Sequence, residues 1–418
     1  MSARLNSNLV RRVNRSRLFH ALRERPGLSQ RELRENTGLD ASTVSNIVRE
    51  LKAERLVVGT RRHAPERLTG RPEIDLRLSE DAGVFVGIQL DMRFQTLVLT
   101  TLSGTRLDHL KLDSSTDLDE ALDITVEAVN TMLARRGNAS APLLGVGVGV
   151  AGLVSDEGHL IINAYQSHKW EDVDLRGQLH ARLPGPVRVS NDATAAALAE
   201  KLFGCCQPLR SFVVVNGYAG IGGGLYLDGK TFLGAGGLAG EVGHVKVVPD
   251  GRSCGCGGRG CLAAYASITS LVRILRDQGV DVRDVDGIID LADAGVPTVL
   301  AALEHAGTLI GRVFATLVNV VNPEAIVMSG ELTKLERYLL PPALRTLDAE
   351  AFNELRLPEQ LLVSPLGGLA VPLGGVGLAM EEFLSVPSWL VPGSFQLTER
   401  GAAGEPLAGR TTVLSAAR

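Results

Sequence analysis

Aromatic residues are scarce: 4% of 418 residues, with two tryptophans. That is too few flat rings for a broad surface that stacks the bases of a single strand. No apolar run reaches the roughly 18–20 residues that a membrane span needs. Basic residues stand near the start (Arg4, Arg11, Arg12), but no apolar segment of the secretory type follows them. Cysteine is sparse as well, at five residues: Cys205, Cys206, Cys254, Cys256 and Cys261. The last three crowd into eight positions, which points to a metal cluster and away from a disulfide framework. A reducing cytoplasm is the expected compartment. Net charge is only −4, but it is unevenly spread. Residues 1–80 hold 17 Lys and Arg against 10 Asp and Glu, and the remainder is acidic. A basic head on an acidic body suits a polyanionic partner. At this length the chain should form two or three compact units.

The head predicts three short helices. Asn14 can cap the first, which runs to about Arg25 before Pro26-Gly27. Ser29-Gln30-Arg31-Glu32 is a capping box for the second, which stops at Gly38. Asp40 caps the third. There Val44, Ile47, Val48 and Leu51 form one apolar stripe, while Ser42, Thr43, Ser45, Asn46 and Arg49 lie off it. Helix, glycine turn and helix with a polar outer face make a helix-turn-helix, whose second helix enters the major groove of double-stranded operator DNA. Asn pairs there with adenine and Arg with guanine. Leu56–Gly59 and Ile74–Leu78 then flank a basic tip carrying Arg61, Arg62, His63, Arg67 and Arg71, which reads as a wing. A small helical interaction domain with a solvated charged face is the plain alternative.

From about Val84 the pattern becomes α/β, and its theme occurs twice. Val84–Leu112 reads as three strands joined by turns, and a helix follows over Leu118–Arg136. A Val/Gly strand, the strand VRVSND and a helix over Ala193–Phe203 come next. SFVVVNGYAGIGGGLYLDGKTFLG opens a second hairpin-led sheet, with a long helix over Leu300–Val321 and a strand over Glu324–Ser329 later. The expected division is a winged head (1–80), a first lobe (81–205), a second lobe (206–385) and a loose tail (386–418), with a cleft between the lobes.

Asn191-Asp192-Ala193, GIGGG at 220–224, Glu241-Val242-Gly243-His244 and CGCGGRGC at 254–261 together carry a resemblance. The chain resembles the ROK family (repressor, open reading frame, kinase), in its regulator branch, over about residues 10–385. The resemblance implies an actin-like, ribonuclease H-like two-lobed α/β body of the hexokinase type behind the winged helix-turn-helix. It also implies a homodimer or homotetramer that answers to a sugar or sugar-phosphate effector.

His244, Cys254, Cys256 and Cys261 offer one imidazole and three thiolates, a structural zinc set that closes a tetrahedron. Three free cysteines beside a hydrogen-bonded histidine are the alternative. Cys205-Cys206 reads as helix-end packing. In kinases of the family the aspartate matching Asp192 is the general base, and Asn191, Glu241 and His244 match positions that bind sugar. Without the resemblance, Asp192 would pass for a helix N-cap. The family's zinc motif usually places a sugar-binding glutamate where Ala263 stands, so the effector is left open.

The resemblance also weighs against a kinase. Gln89, Asp91 and Met92 replace the aspartate and two glycines of the family's first phosphate loop, and Ala219 replaces a threonine of the second. No catalytic residue and no useful ATP site are therefore expected, and the glycines of GIGGG can serve tight turns alone. An ATP-dependent sugar kinase with a regulatory head is the alternative, and a protein-binding head a weaker third.

Overall fold

The computed structural model describes residues 7–61, 74–135, 141–163, 168–355 and 361–384. The wing-tip arginines Arg62, Arg67 and Arg71 and the tail 386–418 lie outside the described residues.

Helix α1 spans Ser7–Glu24, so Asn14 lies within it rather than at its start. In the extra turns Arg11 pairs with Glu50 of the third helix, and just after them Arg15 pairs with Glu54 at that helix's end, contacts that local sequence does not reveal. Helix α2 (Gln30–Thr37) opens on the expected capping box: the Glu32 N–H donates to Ser29 Oγ and the Ser29 N–H to Glu32 Oε2. Such a cap is worth about 1 kcal/mol. Gly38 ends the helix at φ 68°, a conformation that favours glycine. Helix α3 (Ala41–Ala53) buries Val44, Ile47, Val48 and Leu51, the expected stripe. Strands β1 (Val57–Arg61) and β2 (Ile74–Leu78) pair antiparallel at the base of the wing.

The first lobe is built on β3 (Val84–Leu90), β4 (Phe94–Thr101), β5 (Arg106–Asp113), β6 (Leu143–Val150) and β9 (Val187–Asn191), in the order β5-β4-β3-β6-β9. Strands β3, β6 and β9 run parallel, and β3-β4-β5 form an antiparallel meander. Helix α4 (Leu118–Ala134) packs on this sheet, and a small hairpin, β7 (Gly152–Val154) with β8 (Leu160–Asn163), precedes α5 (Leu175–Arg182).

The second sheet repeats that plan. Strands β10 (Phe212–Gly217), β11 (Ile221–Leu227), β12 (Lys230–Thr231), β13 (Ala325–Gly330) and β14 (Leu361–Val363) lie in the order β12-β11-β10-β13-β14. The same meander and the same parallel half recur, which bears out the duplicated theme. Helices α7 (Ala263–Ala266), α8 (Ile268–Asp277), α9 (Val285–Asp293), α10 (Pro297–Val321) and α11 (Glu336–Glu350) contribute to its core.

Helices α6 (Asp192–Leu202) and α12 (Ala370–Phe383) tie the molecule together. Although α12 is last in the chain, it returns to the first sheet. Side chains at Gly87 and Gly147 would run into its backbone at 1.8 Å, from Pro372 O and Gly375 O. Val376, Ala379, Met380 and Leu384 then join Leu18, Phe19, Leu22 and Leu51 of the head in one hydrophobic core with Phe85. Head and body thus share a buried core, and chain order alone does not delimit the lobes.

Candidate functional site: an interlobe carboxylate cluster and a Cys3His loop

At the carboxyl end of the parallel strands, Asn191 ends β9 and Asp192 begins α6. Open α/β sheets present ligand groups at this edge. The helix N-cap is Asn191: its Oδ1 accepts from Ala193 N at 2.8 Å and Thr194 N at 3.1 Å, and its Nδ2 donates to Gly152 O at 2.9 Å. Ala193 N is shared with Asp192, whose Oδ1 accepts from it at 2.9 Å. Asn216 Nδ2, from β10 of the second lobe, donates to Asp192 Oδ2 at 3.3 Å. The sequence reading missed Asn216. Its signal was a polar residue inside the apolar run VVVN.

Glu241 precedes and His244 ends a short 3-10 turn, Val242–His244, that packs against β11. The glycines of GIGGG explain the fit. None of them has a left-handed backbone, so tight turns do not account for them. A Cβ at Gly224 would stand 2.0 Å from Ala193 O, and one at Gly223 2.7 Å from Gly240 O. Small residues let α6 and the Glu241 turn approach the same strand from both sides.

Burial pushes the Asp192 carboxyl up to about 7, and the charges of Asp91 and Glu241 push the same way. The Glu241 carboxyl is also raised by burial, against the opposing pull of His244. Asp192, beside Gly222, and the Glu241 turn, which packs on Ile221 and Gly223, thus lie along the same stretch of β11. Between about pH 4 and 7 the folded state holds a proton on Asp192 that the unfolded chain has lost. Stability from this group is full at the acid end and falls as pH rises through that window. Asp192→Asn, neutral throughout, is expected to flatten the decline and raise the melting temperature at pH 7.5 by a few degrees. Thermal denaturation from pH 4.5 to 8 measures this; an unchanged slope would remove Asp192 as its source.

The Cys3His set converges as anticipated. The donor atoms of His244, Cys254, Cys256 and Cys261 all lie within 4.8 Å of one another. Cys254 Sγ stands 3.5 Å from His244 Nδ1, and Cys256 Sγ stands 3.7 Å from Cys261 Sγ. With zinc bond lengths near 2.0–2.3 Å, tetrahedral edges come to about 3.5–3.8 Å, which these two spacings match, so the cluster could hold a metal ion of that kind. Of the loop glycines, Gly257 and Gly260 take positive φ and turn the chain. Lys246, unforeseen from sequence, donates from Nζ to Cys261 Sγ at 2.7 Å. His244 Nε2 points the other way, 3.7 Å from Glu241 Oε2, so one ring spans the thiol cluster and the carboxylates. Cys205 and Cys206 lie apart from this loop, beyond α6. Cys205 donates through N and Sγ to the buried Glu200, consistent with helix-end packing.

In the head, Ser45, Asn46 and Arg49 are exposed on α3, and Arg49 Nη2 donates to Asn46 Oδ1 at 2.7 Å. Ser42 and Thr43 both give their hydroxyls to Asp40, so the N-cap engages them first. Arg61 is exposed at the end of β1.

A winged helix-turn-helix fused to a two-lobed, actin-like body defines a DNA-binding regulator of the ligand-responsive type. The chain belongs to the ROK family, whose model matches residues 85–380. A MarR family model matches residues 12–67, the head. The xylose repressor of Bacillus spizizenii is 29% identical over 385 residues, covering 91% of this chain and 98% of the relative. The structure of a ROK family transcriptional regulator described as a homolog of the E. coli MLC protein superposes with a TM-score of 0.77 at 23% identity, over 90% of this chain and 97% of that one. A ROK family glucokinase from Streptomyces griseus, solved in complex with glucose and AMPPNP, superposes with a TM-score of 0.65 at 27% identity, over 72% of this chain and all of that one.

Proposed function

We propose that this chain represses transcription of carbohydrate-metabolism genes, and that a sugar held between its lobes governs operator binding. One observation carries the reading: a head with a base-reading helix shares a hydrophobic core with a body that gathers Asp192, Asn216, Glu241 and His244. Asp192 and Glu241 would accept hydrogen bonds from sugar hydroxyls. Asn191, largely engaged in capping, keeps one amide hydrogen for the ligand. His244, Cys254, Cys256 and Cys261 would hold a structural zinc ion that fixes the glycine loop and orients the His244 ring toward Glu241. Ser42, Thr43, Ser45, Asn46, Arg49 and Arg61 would contact the DNA, as would Arg62 and Arg71, which lie outside the described residues. Two such heads in a homodimer would read half-sites about 34 Å apart. Acting on DNA, the protein would work in the cytoplasm.

Asp192, raised to about 7, would also suit a general base, which favours the kinase alternative. The phosphate side argues against it. Asp91 and Met92 are buried where the kinase loop has its open glycines and Gln89 where it has its aspartate, and Asp91 Oδ1 accepts from Arg93 N at 2.9 Å, closing the turn. Tyr218 is buried beside them, its ring 6.3 Å from Phe94. Side chains fill this end of the interlobe space, and one of them carries the same charge sign as phosphate.

The test is thermal shift of the full chain with D-xylose, D-glucose and a panel of sugars and sugar phosphates, beside an ADP-release assay. A ligand specific to the folded form raises the melting temperature. A rise without ADP formation is expected; turnover on the order of 1 s⁻¹ or faster would install the kinase reading instead. In the head, Arg49→Ala is expected to weaken operator binding by about 1–3 kcal/mol and leave non-specific DNA affinity nearly unchanged. Fluorescence anisotropy on both DNAs separates these, and an equal loss on both would make Arg49 a phosphate contact.

A further inference from the structure

Helix α6 starts at the carboxylate site and ends against the head. Its first residue is Asp192 and its last is Leu202. Eleven residues span about 16 Å. Every residue from Ala193 to Glu200 is buried. Helix α12 lies across it with little slack: a Cβ at Gly374 would be 1.9 Å from Ala195 O, and one at Gly377 2.8 Å from Leu202 Cδ1. Such packing shifts as a block rather than deforming gradually.

At the far end, the head grips the helix. Arg23, in the last turn of α1, is 5% exposed at its side chain. Its Nη1 donates to Leu202 O at 2.6 Å. That oxygen is one of the terminal carbonyls that α6 cannot satisfy itself, at the negative end of the helix dipole. The guanidinium also lies 5.4 Å from the centre of the Phe203 ring. Its Nε donates to His20 Nδ1 at 3.3 Å. Burial first, and the Arg23 charge second, hold His20 down to about 3, so the ring is neutral and this nitrogen accepts. Lys201, in the last turn of α6, gives its ammonium to Gln207 O and Leu209 O instead. The grip on Leu202 O therefore belongs to the head.

We propose that α6 couples the interlobe site to the DNA-binding head, and that Arg23 is the positioning residue through which the head senses that helix. The proposal rests on the sugar reading of the site. A ligand that moves the Asp192 end of α6 displaces the Leu202 carbonyl, and the head must follow or lose its guanidinium contact.

The experiment compares the full-length wild type with Arg23→Gln and Arg23→Lys, each checked for native near-ultraviolet dichroism and metal content. Promoter DNA affinity is measured by anisotropy without sugar and with D-xylose or D-glucose, and sugar affinity by calorimetry. In the wild type the active sugar is expected to change DNA affinity by about tenfold, in Arg23→Gln by less than about twofold, with sugar affinity kept and Arg23→Lys partly restoring the response. A full response in Arg23→Gln would overturn the proposal. Should no sugar alter wild-type DNA binding, the sugar reading falls, and amide hydrogen exchange without ligand decides the coupling. Arg23→Gln is then expected to speed exchange at Ala193 and Thr194 as well as at Phe203 and Gly204. A change confined to the Phe203 end would reduce Arg23 to a local packing role and defeat the proposal.

Discussion

Cys256→Ser is expected to abolish stoichiometric zinc binding and to lower the melting temperature of the body by about 10 °C, because 1 kcal/mol corresponds to roughly 2–4 °C in a unit of this size. Cys256 suits the test because it is exposed, so an Sγ-to-Oγ exchange there disturbs no packing. Cys261 is fully buried and makes a bond to Lys246, and its replacement would mix the two effects. Structural zinc contributes about 10–16 kcal/mol of apparent binding free energy, and losing one thiolate of four forfeits a good part of it. The effect should reach the carboxylates, since His244 faces the thiols with Nδ1 and Glu241 with Nε2. Metal analysis and calorimetry, with chelator-treated wild type as reference, measure it. Metal content and melting temperature both equal to those of untreated wild type would refute the zinc assignment.

Asp192→Ala is expected to leave promoter binding intact and to remove the sugar response. The residue opens α6 and lies outside the hydrophobic core that the head shares with Phe85 and α12, so its loss leaves that core intact. A hydrogen bond to a charged acceptor is worth about 1.5–3 kcal/mol, so losing one weakens the sugar roughly 10- to 150-fold. The substitution also strips Asn216 of its acceptor across the lobes. Asp192→Asn should lose the response as well while melting higher at neutral pH, because the buried carboxylate at this position is then gone. Greater stability with less function is the mark of a binding residue that strains its surroundings. Induction that survives in both variants would exclude Asp192 from the ligand site.

Local signals in the sequence carried far. The Ser29–Glu32 box, the Gly38 turn and the Val44–Leu51 stripe are each set by residues within a few positions of one another, and each holds in the structure. The repeated hairpin-led sheets followed from alternation and turn residues, and the Cys3His set from ligand chemistry and spacing. The misreadings involve partners distant in sequence. Helix α1 begins before Asn14 because Arg11 and Arg15 reach acidic residues on α3. Which of Asn191 and Asp192 caps α6 depends on the β9 register and the Gly152 carbonyl, and the cap fell to Asn191. Of the glycines of GIGGG, Gly224 answers to the backbone of α6 and Gly223 to the Glu241 turn, both distant in sequence. The return of α12 to the first sheet and to the head involves strands and helices from both ends of the chain, and no short pattern announces it.

Titration of the full chain onto its promoter fragment, at fixed salt and with each sugar added or withheld, tests the link between cleft and head most directly. One sugar should shift the DNA affinity of the wild type about tenfold, and that shift should vanish in Asp192→Ala. DNA affinity indifferent to every sugar that raises the protein's melting temperature would contradict it.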